Sequence, residues 1–182
     1  LDGSVEPIKG ILPICIEAKR LGIKRIILPK SNSNEASIIT DIEIIPVSSL
    51  SEVISYLNGQ ISISKEKNID FISNINSSYD FDFSEVKGQE SVKRALEISA
   101  AGGHNCLLIG SPGSGKTMLA RRLPSILPDL TFEEALEITK IHSISGLLSE
   151  DSPFIFTRPF RSPHHTITET SLVGGGRIPK PR

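Results

Sequence analysis

The chain has 182 residues, which is enough for one ordinary domain or two small ones with a buried core. Hydrophobic residues make up 38% of it and charged residues 23%, as in soluble globular proteins. The formal net charge of −1 argues against a globally basic nucleic-acid binder but leaves room for a local basic patch. No apolar run approaches the roughly 18 residues of a membrane span. We therefore expect a cytoplasmic protein with no membrane partner.

The ends and the cysteines of the chain give two further expectations. The first residue is Leu1 rather than methionine, which predicts a piece of a longer protein. Cys15 and Cys106 are far apart and lie in apolar runs, a pattern that favours two reduced thiols in the core.

Residues 1–58 alternate helix and strand signals. The segment "ILPICIEAKRLG" predicts a helix that ends at Gly22, and "KRIILP" and "IEIIPV" predict short buried strands. Ser49 and Glu52 predict a capping box ahead of the helix "LSEVISYL". The apolar face of the first helix is expected to comprise Ile11, Ile14, Cys15, Ala18 and Leu21.

Residues 59–79 are rich in Asn, Ser and Lys and predict a linker or a segment packed loosely over a neighbour, and a second unit follows at 80–182. A helix is expected from about Gln89 to Gly102, and Thr131 with Glu134 predicts a capping box before "FEEALEITKIHS". Between these helices "NCLLIG" predicts a buried strand of a parallel sheet. The buried face of the first of these helices is expected to hold Val92, Ala95, Leu96 and Ser99.

The segment "GSPGSGKT" matches the phosphate-loop pattern G-x-x-x-x-G-K-[ST] between an apolar run and a helix. Gly113 and Gly115 allow positive φ, so that backbone N–H groups can surround a phosphate. Lys116 is expected to reach the β- and γ-phosphates of ATP, and the hydroxyl of Thr117 to ligate Mg²⁺. The predicted phosphate-binding residues are Gly110, Ser111, Pro112, Gly113, Ser114, Gly115, Lys116 and Thr117.

With this loop in place, "DFSEVKGQESVKRALEISAAGGHNCLLIGSPGSGKTMLARRLPSILP" resembles the start of an AAA+ ATPase module. Together with "FRSPHHTIT" and "LVGGGRIPKP", it resembles the magnesium-chelatase-like family of ComM and YifB proteins. The resemblance implies ATP and Mg²⁺ as cofactors, a homo-hexameric ring, and adenine contacts at Val86 and Lys87. From the residues alone, the stretch around Val86 is an ordinary helix entry with a turn at Gly88.

The first segment, "LDGSVEPIKGILPICIEAKRLGIKRIILPKSN", resembles the closing part of a Lon-protease-like domain. In active members of that family a catalytic lysine occupies the position that aligns with Leu12. A leucine cannot act as a general base, and Lys9 lies in the turn before the helix, so we expect no proteolysis. The basic residues that follow predict a solvated face, with DNA contact as the alternative: Lys19, Arg20, Lys24, Arg25 and Lys30.

The expected fold class is therefore α/β. Residues 1–58 form a partial Lon-protease-like α/β unit, and 59–79 form the linker. Residues 80–182 form an incomplete P-loop AAA+ module, with a three-layer αβα architecture around a parallel sheet. AAA+ enzymes also need an apolar strand that ends in Asp-Glu, and none follows Thr117. We therefore expect the full-length protein to be an ATPase and this chain to bind ATP weakly, if at all, without hydrolysing it.

The closing segment, residues 158–182, has five basic residues and one acidic residue, Glu169, a local charge of +4. His164 and His165 are adjacent, so in an extended segment they point to opposite sides, and a metal site lacks further ligands. Loop histidines that only pack are one interpretation. The other is contact with DNA or a neighbouring subunit through Arg161, His164, His165 and Arg177.

Three functions remain open. The family resemblance favours a ComM-type motor that acts on DNA as a helicase promoting branch migration in competence or recombination. An ATPase subunit related to magnesium chelatase would act with a porphyrin, and the Lon-like segment disfavours it, since chelatase motors begin without one. A non-catalytic interaction module is the third alternative.

Overall fold

The computed structural model describes residues 2–63, 79–149 and 152–163. The chain divides into two compact units. Among the described residues, the first unit comprises 2–63, 132–149 and 152–155, and the second comprises 79–131 and 156–163. The predicted linker lies mostly outside the described residues, so its bounds stay a prediction.

The first unit contains a parallel pair of strands. Strand β1 (Arg25–Pro29) pairs with strand β2 (Glu43–Val47), and Ile27 lies opposite Ile45. The crossover between them includes a 3-10 turn at Lys30–Asn32 and helix α2 (Ser33–Ala36). Both strands were predicted from their apolar runs. Parallel strands need such a crossover, because a tight turn reverses the chain.

Helix α1 (Ile11–Arg20) begins and ends as predicted, with Gly22 at φ 76° just beyond it. Its expected apolar face is wrong at one edge. Leu12 is fully buried, whereas Ile14 is 49% and Leu21 64% exposed. Helix α1 has apolar residues on more of its surface than one neighbour can cover. Helix α2 packs on the side that carries Leu12. The position of the packing partner thus decides which apolar residues enter the core.

Helix α3 (Leu50–Leu57) carries the predicted capping box. The Ser49 hydroxyl accepts a hydrogen bond from the backbone N–H of Glu52 at 3.2 Å. The Glu52 carboxylate in turn accepts from the backbone N–H of Ser48 at 2.6 Å. The first bond satisfies an N–H group that the first helical turn leaves without a partner, and the second ties the residue before the N-cap to the helix.

The second unit contains helix α4 (Glu90–Gly102), helix α5 (Lys116–Arg122) and 3-10 turns at Phe83–Glu85 and Leu123–Ile126. Leu96 and Ser99 of α4 are buried as predicted, while Ala95 is exposed and Ala100 is buried in its place. The core of this unit is a small apolar cluster: Phe83, Val86, Leu96 and Leu119.

The strand predicted at "NCLLIG" is absent from the described part of the second unit. Leu107 is 84% and Ile109 88% exposed, and residues 104–110 carry no strand pairing. A buried parallel strand takes its hydrogen bonds from neighbours on both sides. The two strands in the described residues belong to the first unit and pair with each other, so this segment has no partner.

The two cysteines differ. Cys15 is fully buried as expected, and burial, with the nearby Glu35 carboxylate, raises the pKa of its thiol to about 11. The prediction for Cys106 is wrong, because it lies in the unpaired segment and is exposed.

Helix α6 (Phe132–Ser145) begins where the sequence predicts and packs against α1 in the first unit. The backbone N–H of Gly10 donates to the carbonyl oxygen of Ser143 at 3.2 Å. The Glu35 carboxylate accepts from the Ser143 hydroxyl and from the backbone N–H of Leu12. The described structure is thus mixed α/β with a small parallel sheet, and no helix in its described ranges is long and apolar enough to cross a membrane.

Candidate nucleotide-binding site

The phosphate loop lies in the second unit and ends in helix α5. Gly113 has φ 79° and Gly115 has φ 84°, the left-handed conformation that the sequence predicts for both. The backbone N–H of Ser114 donates to the carbonyl oxygen of Ser111 at 3.3 Å, which closes a tight turn. Gly115 is the N-cap of α5, so the loop leads directly into the helix.

The ammonium group of Lys116 is folded back onto this loop. Its Nζ donates to the carbonyl oxygens of Gly110 at 2.9 Å and Ser111 at 2.7 Å, and to the Ser114 hydroxyl at 3.2 Å. A single flexible side chain therefore bridges the first and middle residues of the loop. The structure brings the predicted lysine and loop glycines together even though the segment before the loop does not form the predicted strand.

Thr117 follows Lys116 on α5 and is exposed. Its hydroxyl is an oxygen ligand of the kind Mg²⁺ takes together with nucleotide phosphates. In residues 2–63, 79–149 and 152–163 no group of three or more His, Cys, Asp or Glu side chains could hold a metal ion by itself.

The segment predicted to contact adenine splits into a buried and an exposed residue. Val86 is 4% exposed and packs in the core cluster, and its carbonyl oxygen accepts from Nζ of Lys93 at 3.2 Å. Lys87 is exposed. An adenine base could therefore contact Val86 only at the edge of the core cluster, whereas the exposed Lys87 would present a positive charge to it.

Gln89 is a residue that the sequence analysis did not single out as a site residue. A Cβ placed on Gly115 would lie 3.5 Å from its Nε2, so the side-chain amide approaches the phosphate loop. Gln89 also has φ 56°, a left-handed conformation that non-glycine residues seldom adopt. The sequence carries no signal for it, because the pairing with Gly115 arises only from the packing of α4 beside α5.

The basic closing segment is described only in part. Arg161 is exposed, and Nε of Arg158 donates to the carbonyl oxygen of Pro128 at 2.7 Å. His164, His165 and Arg177 lie outside the described residues.

In the first unit, the position aligned with the Lon catalytic lysine is occupied by the fully buried Leu12. The side chain of Lys9 instead lies beside Gly146, where an added Cβ would come within 2.6 Å of its Cε.

Comparison with known proteins gives two family matches. The model of the family "Magnesium chelatase, subunit ChlI" matches residues 82–182, and that of "Lon protease (S16) C-terminal proteolytic domain" matches residues 1–58. The first match covers more than half of the chain and includes the phosphate loop. These matches define the class of the protein as an AAA+ module preceded by a Lon-like segment.

The relatives identify the family within this class. The chain is 42% identical over 181 residues to the uncharacterized protein YifB of Escherichia coli, a match that covers 100% of the chain and 35% of YifB. It is 38% identical over 185 residues to the competence protein ComM of Haemophilus influenzae, a match that covers 100% of the chain and 36% of ComM. It is 42% identical over 178 residues to an uncharacterized protein of Mycobacterium tuberculosis, a match that covers 97% of the chain and 34% of that protein. The chain belongs to the magnesium-chelatase-like family that includes ComM and YifB, and it spans about a third of the length of these relatives.

Proposed function

We propose that this chain is the ATP-binding part of a AAA+ motor that acts on DNA. The observation that carries the proposal is the phosphate loop, with left-handed Gly113 and Gly115 and with Lys116 bonded across it. The whole-chain similarity to ComM, a competence protein by name, supports an action on DNA rather than on a small molecule.

ATP fits the geometry of the loop. Positive φ at two glycines lets the backbone N–H groups of a loop turn toward one anion, which residues with a Cβ would resist. Lys116 supplies the positive charge, and it exchanges its bonds to loop oxygens for bonds to phosphate oxygens. Thr117 would hold Mg²⁺, which neutralises charge on the phosphates when bound. Val86 and Lys87 would lie at the adenine.

Hydrolysis needs a carboxylate that positions the attacking water, and none follows Thr117 on a strand in the part of the chain that the structure describes. Asp129 lies in a loop, and Glu133 and Glu134 lie in α6. We therefore propose that the 182-residue chain binds ATP weakly and does not turn it over. Phosphate release above background, abolished in Lys116→Ala, would contradict this proposal.

The three-layer αβα architecture belongs to the same proposal. The exposed Leu107 and Ile109 would be covered when residues 105–110 gain strand partners on both sides. Completion of that sheet would also fix the entry to the phosphate loop, and tighten ATP binding.

The proposed ring is a cytoplasmic homo-hexamer whose Lon-like segment serves assembly rather than proteolysis. DNA would contact the basic closing segment through Arg161 and Arg177, and His164 and His165 would lie nearby at DNA or a neighbouring subunit. Reversal of charge at Arg161 and Arg177 in the full-length protein should weaken DNA binding and reduce its salt dependence. Unchanged binding would reject this surface.

The experiment that tests the motor itself is ATP-dependent unwinding of forked DNA by the full-length protein, with Lys116→Ala as the control. The absence of any ATP-dependent effect on forked or branched DNA would overturn the DNA function. The description of the matching family favours one other candidate, an ATPase subunit of a chelatase. Stimulation of ATP turnover by a porphyrin, rather than by DNA, would favour that candidate.

A further inference from the structure

Three aromatic residues and two arginines line one pocket of the second unit. They are Tyr79, Phe81, Phe160, Arg121 and Arg158. The pocket has a volume of about 590 Å³, which is in the range of small-molecule sites. No residue of the phosphate loop lines it, so it is distinct from the site proposed for ATP.

Two of these aromatic residues are exposed, and one of them is held by a cation. Phe81 is 43% and Phe160 40% exposed, so both are accessible to a ligand. The Arg122 guanidinium lies 5.3 Å from the centre of the Phe81 ring and is fixed by the Glu85 carboxylate at 2.6 Å. A cation over an aromatic ring is attractive, so Phe81 is held in place before any ligand binds.

The charge of the pocket favours an anion. Arg121 and Arg158 are opposed by a single carboxylate among the lining residues, that of Asp80. Arg158 is oriented by the bond from its Nε to the carbonyl oxygen of Pro128. Arg121 is exposed and makes no hydrogen bond or ion pair within the described ranges of the chain, so its donors can turn to a ligand.

A planar ring beside a fixed negative charge is the chemistry of a nucleotide. We infer that this pocket binds one nucleotide unit, with its base against Phe81 and Phe160 and its phosphate at Arg121. Bases stack on aromatic side chains whatever their sequence, and an arginine nearby holds the backbone. A single-stranded nucleic acid and a free mononucleotide share this chemistry. The single strand is favoured here, which rests on the proposed action on DNA.

The chain offers a direct optical test, because it contains no tryptophan. Phe160→Trp places one emitter in the pocket, and stacking of a base on it quenches its fluorescence. We expect saturable quenching by a short oligothymidylate, in low salt and without ATP or Mg²⁺. The signal should survive Lys116→Ala, since the phosphate loop is not involved. The absence of saturable quenching by both the oligothymidylate and thymidine monophosphate would overturn the inference.

Two substitutions test the roles of the ring and the charge. In the otherwise unchanged chain, Phe160→Ala should weaken oligothymidylate binding about 5- to 150-fold, while Phe160→Tyr keeps the ring and the affinity. Arg121→Ala should lower the slope of log affinity against log salt by about 0.7. The matched control is Arg94→Ala, which removes an exposed guanidinium paired with Glu97 on α4. Equal effects of Arg121→Ala and Arg94→Ala would contradict the assignment.

The relative affinities of the two ligands show whether the pocket binds single-stranded nucleic acid or a free mononucleotide. Much tighter binding of the oligothymidylate than of thymidine monophosphate, per nucleotide, supports a single strand, and equal affinities support a free nucleotide in the same pocket. If the motor proposal is wrong and the pocket assignment is right, the protein binds oligothymidylate but shows no ATP-dependent unwinding. If the pocket assignment is wrong and the motor proposal is right, the protein unwinds DNA and Phe160→Ala does not change the rate.

Discussion

Two apolar segments of five residues, one in each unit, differ in whether they form a strand. "RIILP" in the first unit is β1 and pairs with β2 along its whole length. "CLLIG" in the second unit is not a strand, and its Leu107 and Ile109 are largely exposed. Their compositions are alike, so composition does not explain the difference. A strand exists only where a neighbour accepts its hydrogen bonds, whereas a helix satisfies its own.

The two units also differ in the size of their buried cores and in the candidate binding sites that they contain. The first unit buries many aliphatic side chains around β1 and β2, while the core cluster of the second unit is small. The second unit instead holds the loop, the bonded lysine and the aromatic pocket. We therefore expect core substitutions to act most strongly in the first unit and ligand-dependent effects to lie in the second.

The largest expected effect is in the core of the first unit. Leu12→Ala should lower the free energy of unfolding by about 2–5 kcal/mol, because the side chain is fully buried and its removal leaves a cavity. Ile14→Ala on the same helix should change it by no more than about 0.5 kcal/mol, because Ile14 is 49% exposed. Urea unfolding followed by circular dichroism measures both. The reverse order would show that the helix is rotated from the position described here.

The second effect is confined to ligand binding in the second unit. Lys116→Ala should weaken ATP binding roughly 10- to 150-fold, the equivalent of a lost charged hydrogen bond of about 1.5–3 kcal/mol. The bonds that it loses in the ligand-free state lie within one exposed loop, so the thermal midpoint without ligand should fall only slightly. Titration with a fluorescent ATP analogue measures the affinity.

The control for that titration is Lys24→Ala, which removes an exposed ammonium group in the first unit. Equal weakening by the two substitutions would show that the titration reports general electrostatic attraction rather than the loop.

A smaller effect is expected at the cap of α3. Ser49→Ala removes the acceptor of the Glu52 N–H bond and should cost about 1 kcal/mol of unfolding free energy. Ser51→Ala, at an exposed position inside the same helix, should be neutral or slightly stabilising. Chemical unfolding of the two variants separates the cap from the loss of a hydroxyl. An equal cost for both would mean that the cap contributes nothing.

The last effect is a loss of stability at alkaline pH. The pKa of the Cys15 thiol is raised to about 11 by burial, above its ordinary value of 9.0, so the folded state holds its proton more tightly than the unfolded chain. The resulting stability is complete below pH 9 and is lost as the pH rises toward 11. The measurement is the unfolding free energy between pH 8 and pH 11.

Cys15→Ala should flatten that pH dependence, while Cys106→Ala, which changes an exposed thiol, should keep it. The same dependence in both variants would show that other groups cause the loss of stability.

Much of the local structure could be predicted. The bounds of α1, α3, α4 and α6, both strands of the first unit, and the capping box at Ser49 follow from periodicity, glycines and capping residues, which act within a few neighbours. The left-handed glycines and the lysine of the phosphate loop follow in the same way, because the loop pattern prescribes them. The mistakes concern Ile14, Leu21, Ala95, the segment 105–110 and Cys106, whose burial or pairing depends on a second element.

The sequence by itself determined the family of this protein, its phosphate loop and the ends of its helices. Those features depend on short-range sterics and hydrogen bonds, which are encoded residue by residue. Only the tertiary structure decided that Leu12 rather than Ile14 enters the core, that Gln89 approaches Gly115, and that Phe81, Phe160 and Arg121 line one pocket. Each of these requires residues distant in sequence to meet, and no local pattern specifies which partner will arrive.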